Sequence, residues 1–286
     1  MYFPVGGSFI GNFDTGAFES ETTTYADVVA VDLASDDPHP RARGRVQLAR
    51  PYPTDARIQA YSLFLDAQAD KFLFFDLDTG SPANPRPWEH PQRLYLATLN
   101  GPTLDLGRYS GFGREHDVWG ALSPDGKHAV VSSDFTLANR STYCAGAAID
   151  LINTETGQID HIHPTEPADG PQSFTISRAW WGADSTLYAN YQQWPCQPDS
   201  IQQPPPPPPS VWTYRNGRWD KLDTDGPAIY ALKLPGDRTA VVVPSPNQKS
   251  YDVPRGSLSI LNPDGTRTHL TDGVTAISPL TPSNAP

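Results

Sequence analysis

One hairpin-like segment recurs along the chain at nearly regular intervals, and this repetition constrains the fold more than any other feature. Its clearest copy, residues 121–131, consists of an apolar run, the sequence Pro-Asp-Gly and a second apolar run, an arrangement typical of a β-hairpin. Weaker copies cover residues 66–75, 181–189 and 234–242. The aligned positions are 56, 58 and 53 residues apart, a period that indicates a repeat architecture: Lys71, Lys127, Ser185 and Arg238.

A second pattern completes the repeating unit. After each hairpin, an alternating strand ends in a polar turn and leads into a further strand; these strands cover residues 93–99, 145–152, 210–214 and 256–261. Each unit is therefore predicted to be a four-stranded antiparallel meander, which is the blade of a β-propeller. The complete units are blade 2 (57–108), blade 3 (117–163), blade 4 (172–222) and blade 5 (228–271).

The two ends of the chain predict a fifth unit. Residues 1–50 offer strands near 6–13, 26–33 and 45–49, and residues 274–280 offer one strand of the missing first type. We therefore predict one all-β domain, residues 1–286, with a five-bladed propeller fold in which blade 1 combines both ends. Such closure pairs otherwise exposed sheet edges. A six-bladed propeller and an open β-sandwich are the alternatives.

Composition excludes several classes of protein. The 31 Pro and 22 Gly residues leave no long uninterrupted run with helical periodicity. A net charge of −11 opposes non-specific nucleic-acid binding, which needs clustered Lys and Arg. No stretch approaches the roughly 18 apolar residues that a transmembrane helix needs. The N-terminal residues lack the basic and apolar regions of a signal peptide, so we expect any signal or anchor to be absent from this sequence.

The clearest hairpin carries a family resemblance. Its sequence Leu-Ser-Pro-Asp-Gly-Lys, residues 122–127, resembles the TolB-like or PD40 (WD40-like) repeat of β-propellers, and degraded copies extend the resemblance over four units. The family includes periplasmic protein-binding scaffolds and the propeller domains of peptidases and lyases, so the resemblance implies a fold rather than an activity. No catalytic residue transfers, because the matched positions are turn residues. The texture rich in Ala, Asp, Pro and Arg is similar to that of actinobacterial envelope proteins, either secreted proteins or lipoproteins.

The predicted loops differ in length between the two faces of the domain. The connections between second and third strands are long, at residues 14–25, 77–92, 134–144, 190–210 and 244–256, and all emerge on one face with the connections between units. Long loops on a rigid scaffold commonly carry binding residues. We predict a ligand- or partner-binding surface there, formed by Trp88, Glu89, His90, Arg114, His116, Asp117, Tyr143, Trp194 and Tyr230. The six prolines of residues 204–209 favour a stiff spacer over a docking segment.

The two cysteines fall in long loops of consecutive units. Cys144 and Cys196 would lie close together on the long-loop face, so we predict a disulfide between them. A disulfide favours an extracytoplasmic location in the periplasm, cell envelope or medium. Two free thiols in a cytoplasmic protein are the alternative.

Other titratable groups give weaker indications. Glu115, His116 and Asp117 are adjacent, so on a strand they would point to alternate faces and could not converge. His161 and His163 could form a metal pair but lack a third ligand, so we predict neither a metal nor a cofactor.

Two functional hypotheses follow from these patterns. The first is a non-enzymatic, extracytoplasmic, monomeric binding or scaffold module that recognises a protein, peptide or cell-envelope glycan and binds no nucleic acid. The alternative is a glycan-active hydrolase or lyase with two carboxylates at the mouth of the central channel, for which Asp117, Asp225 and Asp272 are candidates. A scaffold for oligomer assembly is a third, minor option.

Overall fold

The computed structural model describes much of the chain as β-structure. The described residues are 2–5, 11–12, 17–18, 25–30, 41–47, 61–68, 70–77, 93–108, 119–134, 144, 146–197, 202–245 and 255–277. All regular secondary structure within these ranges is β-strand. The described residues contain no helix that is long and apolar enough to cross a membrane. The strands form successive, mainly antiparallel sheets along the chain.

The N-terminal sheet contains β1 (Tyr2–Val5), β4 (Tyr25–Ala30) and β5 (Arg41–Gln47), in the order β1-β4-β5. Among the described residues, the short strands β2 (Gly11–Asn12) and β3 (Ala17–Phe18) form a separate pair. The strand that pairs with β4 is β1, which lies earlier than the strand expected near 6–13. Of that expected strand, only residues 11–12 lie within the described part of the chain, and they form β2. The strand expected at 45–49 begins earlier, at Arg41, because its register with β4 starts there.

Two further sheets are simple four-stranded antiparallel meanders. The second sheet contains β6 (Tyr61–Gln68), β7 (Lys71–Leu77), β8 (Arg93–Thr98) and β9 (Thr103–Arg108). The last sheet contains β19 (Tyr230–Lys233), β20 (Thr239–Pro244), β21 (Gly256–Leu261) and β22 (Arg267–Val274). In both sheets each strand pairs with the next one along the chain, as the repeat predicts.

The third and fourth units are joined into one nine-stranded sheet. The third unit contains β10 (Gly120–Leu122), β11 (His128–Asp134), β12 (Gly146–Asn153) and β13 (Ile159–Ile162). The fourth contains β14 (Gln172–Thr175), β15 (Ala179–Trp181), β16 (Leu187–Pro195), β17 (Ser210–Arg215) and β18 (Arg218–Lys221). Strand β14 pairs in parallel with β12 and antiparallel with β16. The prediction of separate, purely antiparallel blades is therefore wrong at this boundary.

A side chain explains why the first strand of the fourth unit is split into β14 and β15. The Asn190 Oδ1 atom accepts hydrogen bonds from the backbone N–H groups of Ser177 (3.0 Å) and Arg178 (2.8 Å). These N–H groups therefore bond to a side chain in place of a strand backbone. The two short strands then pair with the two halves of β16.

The predicted closing strand at 274–280 does not begin where the sequence suggests. Val274 is the last residue of β22 and pairs with Gly256, so it continues the outer strand of the last sheet. Residues 275–277 form no strand, and residues 278–280 lie outside the described part of the chain.

Each apolar cluster of the core lies between two successive units. Phe72 and Phe74 of β7 pack with Val28 and Val46 of the first sheet, whereas Leu73 packs with residues of the third unit. Neighbouring residues of one strand therefore serve two interfaces, because successive side chains point to opposite faces. The same division recurs further along: one cluster joins the third and fourth units, and another joins the fourth and fifth. The inner sheets are consequently buried on both faces.

The first strands of successive units lie side by side and are connected by side-chain hydrogen bonds. Asp66 of β6 accepts a hydrogen bond from the N–H of Leu122 in β10 at 2.7 Å, and burial raises the pKa of its carboxyl group. Lys71 Nζ donates to the carbonyl of Gly126 at 2.9 Å. The Pro-Asp-Gly turn that identifies the repeat is therefore also a point of attachment between sheets. Gly126 adopts a φ of +66°, which favours glycine there.

Candidate binding surface

A disulfide closes the long-loop end of the third and fourth units. Cys144 precedes β12 and Cys196 follows β16, and the structure joins them with Cα atoms 5.5 Å apart. This separation lies within the usual range for disulfides. The Cys196 N–H also donates to the carbonyl of Pro171 at 2.9 Å, so backbone and side chain both hold the end of β16.

The end of β16 projects beyond the rest of its sheet. Strand β17 pairs with β16 only as far as Tyr191, which lies opposite Ser210. The remaining residues of β16, 192–195, pair with β14, which in turn pairs with β12. We call β14 together with residues 192–195 the ribbon. Its β16 strand continues directly into Cys196 of the disulfide.

The proline run lies along the edge of β16 that β17 leaves open. The Gln192 side chain donates to the carbonyl of Pro207, and Gln203 exchanges two hydrogen bonds with the backbone of Gln197, at 2.7 and 3.1 Å. Prolines have no N–H for a sheet ladder, so glutamine side chains make these connections instead. Residues 205–208 remain exposed. These contacts fit the expected stiff spacer and show that it covers a strand edge.

A glutamine fixes the connection between the third and fourth units against the ribbon. Gln193 Nε2 donates to the carbonyl of Glu166 at 2.9 Å, and Gln193 Oε1 accepts from the N–H of Glu166 at 3.2 Å. The Tyr191 hydroxyl donates to the same Oε1 atom at 2.5 Å, and burial raises the pKa of this tyrosine. The Glu166 carboxylate pairs with Lys221 at 2.7 Å. This side of the ribbon therefore holds the connection between the third and fourth units.

His161 and His163, which the sequence analysis considered as a possible metal pair and rejected, have separate partners. The His163 ring stacks on Phe174 with centroids 4.5 Å apart. His161 Nδ1 lies 2.5 Å from the buried Asp150 carboxylate. Within the described part of the chain, no three His, Cys, Asp or Glu side chains form a metal-binding group.

Trp194 lies on the other side of the ribbon. It is opposite Ser173 in the β14–β16 ladder, whereas Phe174 is opposite Gln193, so Trp194 and Phe174 point to opposite faces. The Trp194 side chain is half-buried, and its indole N–H has no hydrogen-bond partner among the described residues. Trp194 is therefore a large aromatic group on a strand that is held by the disulfide and by β14.

Tyr230, also proposed for the surface, lies in the core. It is 7% exposed, and its ring centroid lies 4.6 Å from that of Trp180. Burial raises the pKa of Tyr230, and the positive charge of the nearby Arg178 offsets part of this rise. The ring is thus a packing element between the fourth and fifth units.

The candidate carboxylates do not converge in the described residues. Asp225 lies 3.5 Å from Arg267, the first residue of β22, whereas Asp272, near the end of β22, accepts a hydrogen bond from Ser257. Both groups therefore lie along the outer strand of the last sheet, away from the first strands. Asp117, the third candidate, lies outside the described residues.

Most of the predicted binding residues lie outside the described ranges: Trp88, Glu89, His90, Arg114, His116, Asp117 and Tyr143. Of the others, Trp194 is close to the disulfide in sequence and Tyr230 is in the core. The sequence analysis missed Asn190, Gln192 and Gln193, although these amides organise the ribbon. Their one visible signal is their position beside two aromatic residues, since Asn190 precedes Tyr191 and both glutamines lie between Tyr191 and Trp194. Their partners lie too far along the chain to be inferred.

The chain is distantly similar in structure to β-propeller domains. No protein-family model matches it, and no curated protein sequence matches it. It is similar to TolB from Agrobacterium tumefaciens, with 14% identity, a TM-score of 0.43, and 87% of this chain and 77% of that chain covered. The β-propeller domain of the Trilobed protease from Pyrococcus furiosus is 12% identical to this chain with a TM-score of 0.40, and the match covers 75% of this chain and 58% of that chain. The tricorn protease is 11% identical with a TM-score of 0.48, and the match covers 88% of this chain and 26% of that chain. The chain therefore spans only part of both proteases. The protein has an all-β fold with antiparallel sheets, distantly similar in structure to β-propeller domains.

Proposed function

We propose that this protein is a non-enzymatic binding module of the cell envelope or extracellular space. It recognises a protein, a peptide or an envelope glycan through the long-loop end of a five-bladed, TolB-like propeller. The Cys144–Cys196 disulfide supports an extracytoplasmic location, because structural disulfides persist in oxidising compartments.

The proposed blade number rests on the packing of the sheets. Five units follow one another along the chain, and an apolar cluster fills each of the four boundaries between consecutive units. Side-chain hydrogen bonds also connect the first strands across three of these boundaries. Among them, the Leu122 N–H donates to the Asp66 carboxylate, and the Trp180 indole N–H donates to the carbonyl of Ala231. Sheets packed face to face with adjacent first strands are the arrangement of propeller blades.

The observation that carries the binding role is the position of Trp194. Tryptophan is enriched in the energetically dominant positions of interfaces, because it offers a large, rigid surface with one hydrogen-bond donor. Trp194 has this chemistry on a strand braced by the ribbon, the disulfide and the proline run. Its indole N–H is buried without a partner among the described residues, so the accessible part of its half-buried ring is the surface that a ligand would contact.

A comparison of two tryptophan variants tests this role. Immobilised wild type, Trp194→Ala and Trp219→Ala would be incubated with cell-envelope extract, and the retained proteins and glycans would be quantified by mass spectrometry. Trp219 is a matched control, because it is also half-buried with an unpartnered indole N–H but lies on the outer strand β18.

We expect Trp194→Ala to lower the affinity for the retained component by about 30-fold, the effect of losing an interface hot spot. Trp219→Ala should retain that component at the wild-type level. Equal retention by all three proteins would contradict the assignment of Trp194. The unfolding free energy of each variant, measured in parallel, would separate lost binding from lost folding.

A further inference from the structure

The chain contains two Asn-Gly dipeptides, and each lies in the turn that leads to the outer strand of a unit. Asn100 and Gly101 lie between β8 and β9, and Asn216 and Gly217 lie between β17 and β18. Both asparagines are exposed and have positive φ angles, 54° and 51°. The two sites share their dipeptide, their place in the repeat and their exposure, so they differ mainly in their contacts.

The contacts of the first dipeptide hold both of the groups that could react with each other. The Gly101 N–H donates to the carbonyl of Thr98 at 3.0 Å. The Asn100 Oδ1 atom accepts a hydrogen bond from the N–H of Arg45 in β5 at 3.0 Å, and the Asn100 N–H donates to the Arg45 carbonyl at 2.7 Å. The glycine nitrogen and the asparagine side-chain amide are therefore both engaged, the second by the sheet of the preceding unit.

The second dipeptide has no such contacts. Asn216 and Gly217 are the two central residues of a turn that the Arg215–Arg218 pair closes, and their φ angles of 51° and 77° are those of a type I′ turn. No hydrogen bond joins the Asn216 side chain or the Gly217 N–H to another described residue. The space where a Cβ atom of Gly217 would stand has no heavy atom within 4 Å. The glycine nitrogen is thus open to attack on the neighbouring side chain.

We infer that Asn216 is a site of spontaneous deamidation in the folded protein and that Asn100 is protected from the same reaction. The Gly217 nitrogen forms a bond to Asn216 Cγ, the Cγ–Nδ2 bond breaks, and the proton of the glycine nitrogen leaves with Nδ2 as ammonia. Water then opens the cyclic imide at either carbonyl carbon, which gives aspartate or isoaspartate without any oxidant or reductant. Asparagine is among the thermolabile residues, and glycine places no side chain beside the attacking nitrogen. The inference is independent of the proposed function.

The reaction would change the turn that positions the outer strand β18. Isoaspartate adds a methylene group to the backbone of a two-residue turn, and both products add a negative charge. Strand β18 carries Trp219, whose ring centroid lies 5.0 Å from that of Tyr214, and Lys221, which pairs with Glu166. Deamidation of Asn216 therefore acts on a strand that binds the connection between the third and fourth units.

Peptide mapping by mass spectrometry after incubation in ¹⁸O-labelled water measures both sites in the same molecules. The whole chain would be kept in mildly alkaline buffer, either folded or in urea with reductant, and the labelled oxygen would mark each product formed before digestion. In the folded protein we expect residue 216 to take up label about tenfold or more faster than residue 100, where hydrogen bonds must first break. In urea the two sites should react at similar rates, because the contacts are lost and the dipeptides are identical.

Two variants serve as controls. Asn216→Gln keeps an amide but would have to close a larger ring, so it should take up no label at residue 216 and leave the rate at residue 100 unchanged. Asn216→Asp supplies the aspartyl peptide from which the isoaspartyl product is separated by chromatography. Equal rates at the two sites of the folded protein, or faster labelling at residue 100, would overturn the inference. Labelling of residue 216 in urea but not in the folded protein would also overturn it, because the turn would then protect Asn216.

Discussion

At the scale of single residues, two neighbouring tryptophans connect three units of the fold. Trp180 donates its indole N–H forward to the carbonyl of Ala231 at 3.0 Å, and Trp181 donates backward to the carbonyl of Ala121 at 3.2 Å. Alternation along β15 explains why adjacent side chains reach opposite neighbours. The alternation can be read from the sequence, but the acceptors cannot, because they lie 51 and 60 residues away.

Replacement of Trp180 by Phe keeps an aromatic ring and removes the hydrogen bond. It leaves the carbonyl of Ala231 buried and unpaired, so we expect the free energy of unfolding to fall by about 1–3 kcal/mol. Urea denaturation followed by far-ultraviolet circular dichroism measures this change. Trp219→Phe is the matched control, because the indole N–H it removes is buried without a partner in the described structure. A Trp180→Phe variant no less stable than Trp219→Phe would refute the role of the hydrogen bond.

At the scale of elements, the repeat predicts hairpins well and irregular pairings poorly. The hairpin of β10 and β11 follows from its turn chemistry, and Gly126 has the positive φ that such a turn needs. The parallel pairing of β14 with β12 has no local signal in the sequence. It accompanies the split of the first strand of the fourth unit into β14 and β15, where the Asn190 side chain of β16 binds the backbone between them. Local sequence encodes a turn, whereas a contact between distant strands depends on the whole fold.

The disulfide is an element-scale feature with a measurable contribution to stability. Its cysteines are 52 residues apart, and closing a loop of that length stabilises a folded chain by about 4 kcal/mol in the chain-entropy model. We expect the double variant Cys144→Ser, Cys196→Ser to lose about 2–4 kcal/mol of unfolding free energy. Denaturation with urea, with and without reductant, measures it. Reductant should destabilise only the wild type, and equal stability of both proteins without reductant would contradict the expectation.

At the scale of the whole molecule, the sequence predicts the all-β fold with antiparallel sheets better than it predicts the binding surface. The hairpins follow from a period that the copies share, whereas most of the predicted surface residues fall in long loops without repeated features. Tyr230 illustrates the difference. An aromatic residue between two units suits either a surface or a core, and only its packing against Trp180 distinguishes them.

The proposed five-bladed ring makes a prediction about overall size. A compact chain of 286 residues should have a radius of gyration of about 19 Å. Small-angle X-ray scattering measures this quantity, and a concentration series excludes self-association. A closed ring should give the compact value, because its first and last sheets pack together as the inner sheets do. A monomer with a radius of gyration of roughly 25 Å or more would indicate an open arc, since compactness requires that every sheet be packed against neighbours.

The disulfide-free double variant should keep the same radius of gyration under native conditions, because the four apolar clusters, and not the covalent link, hold consecutive units together.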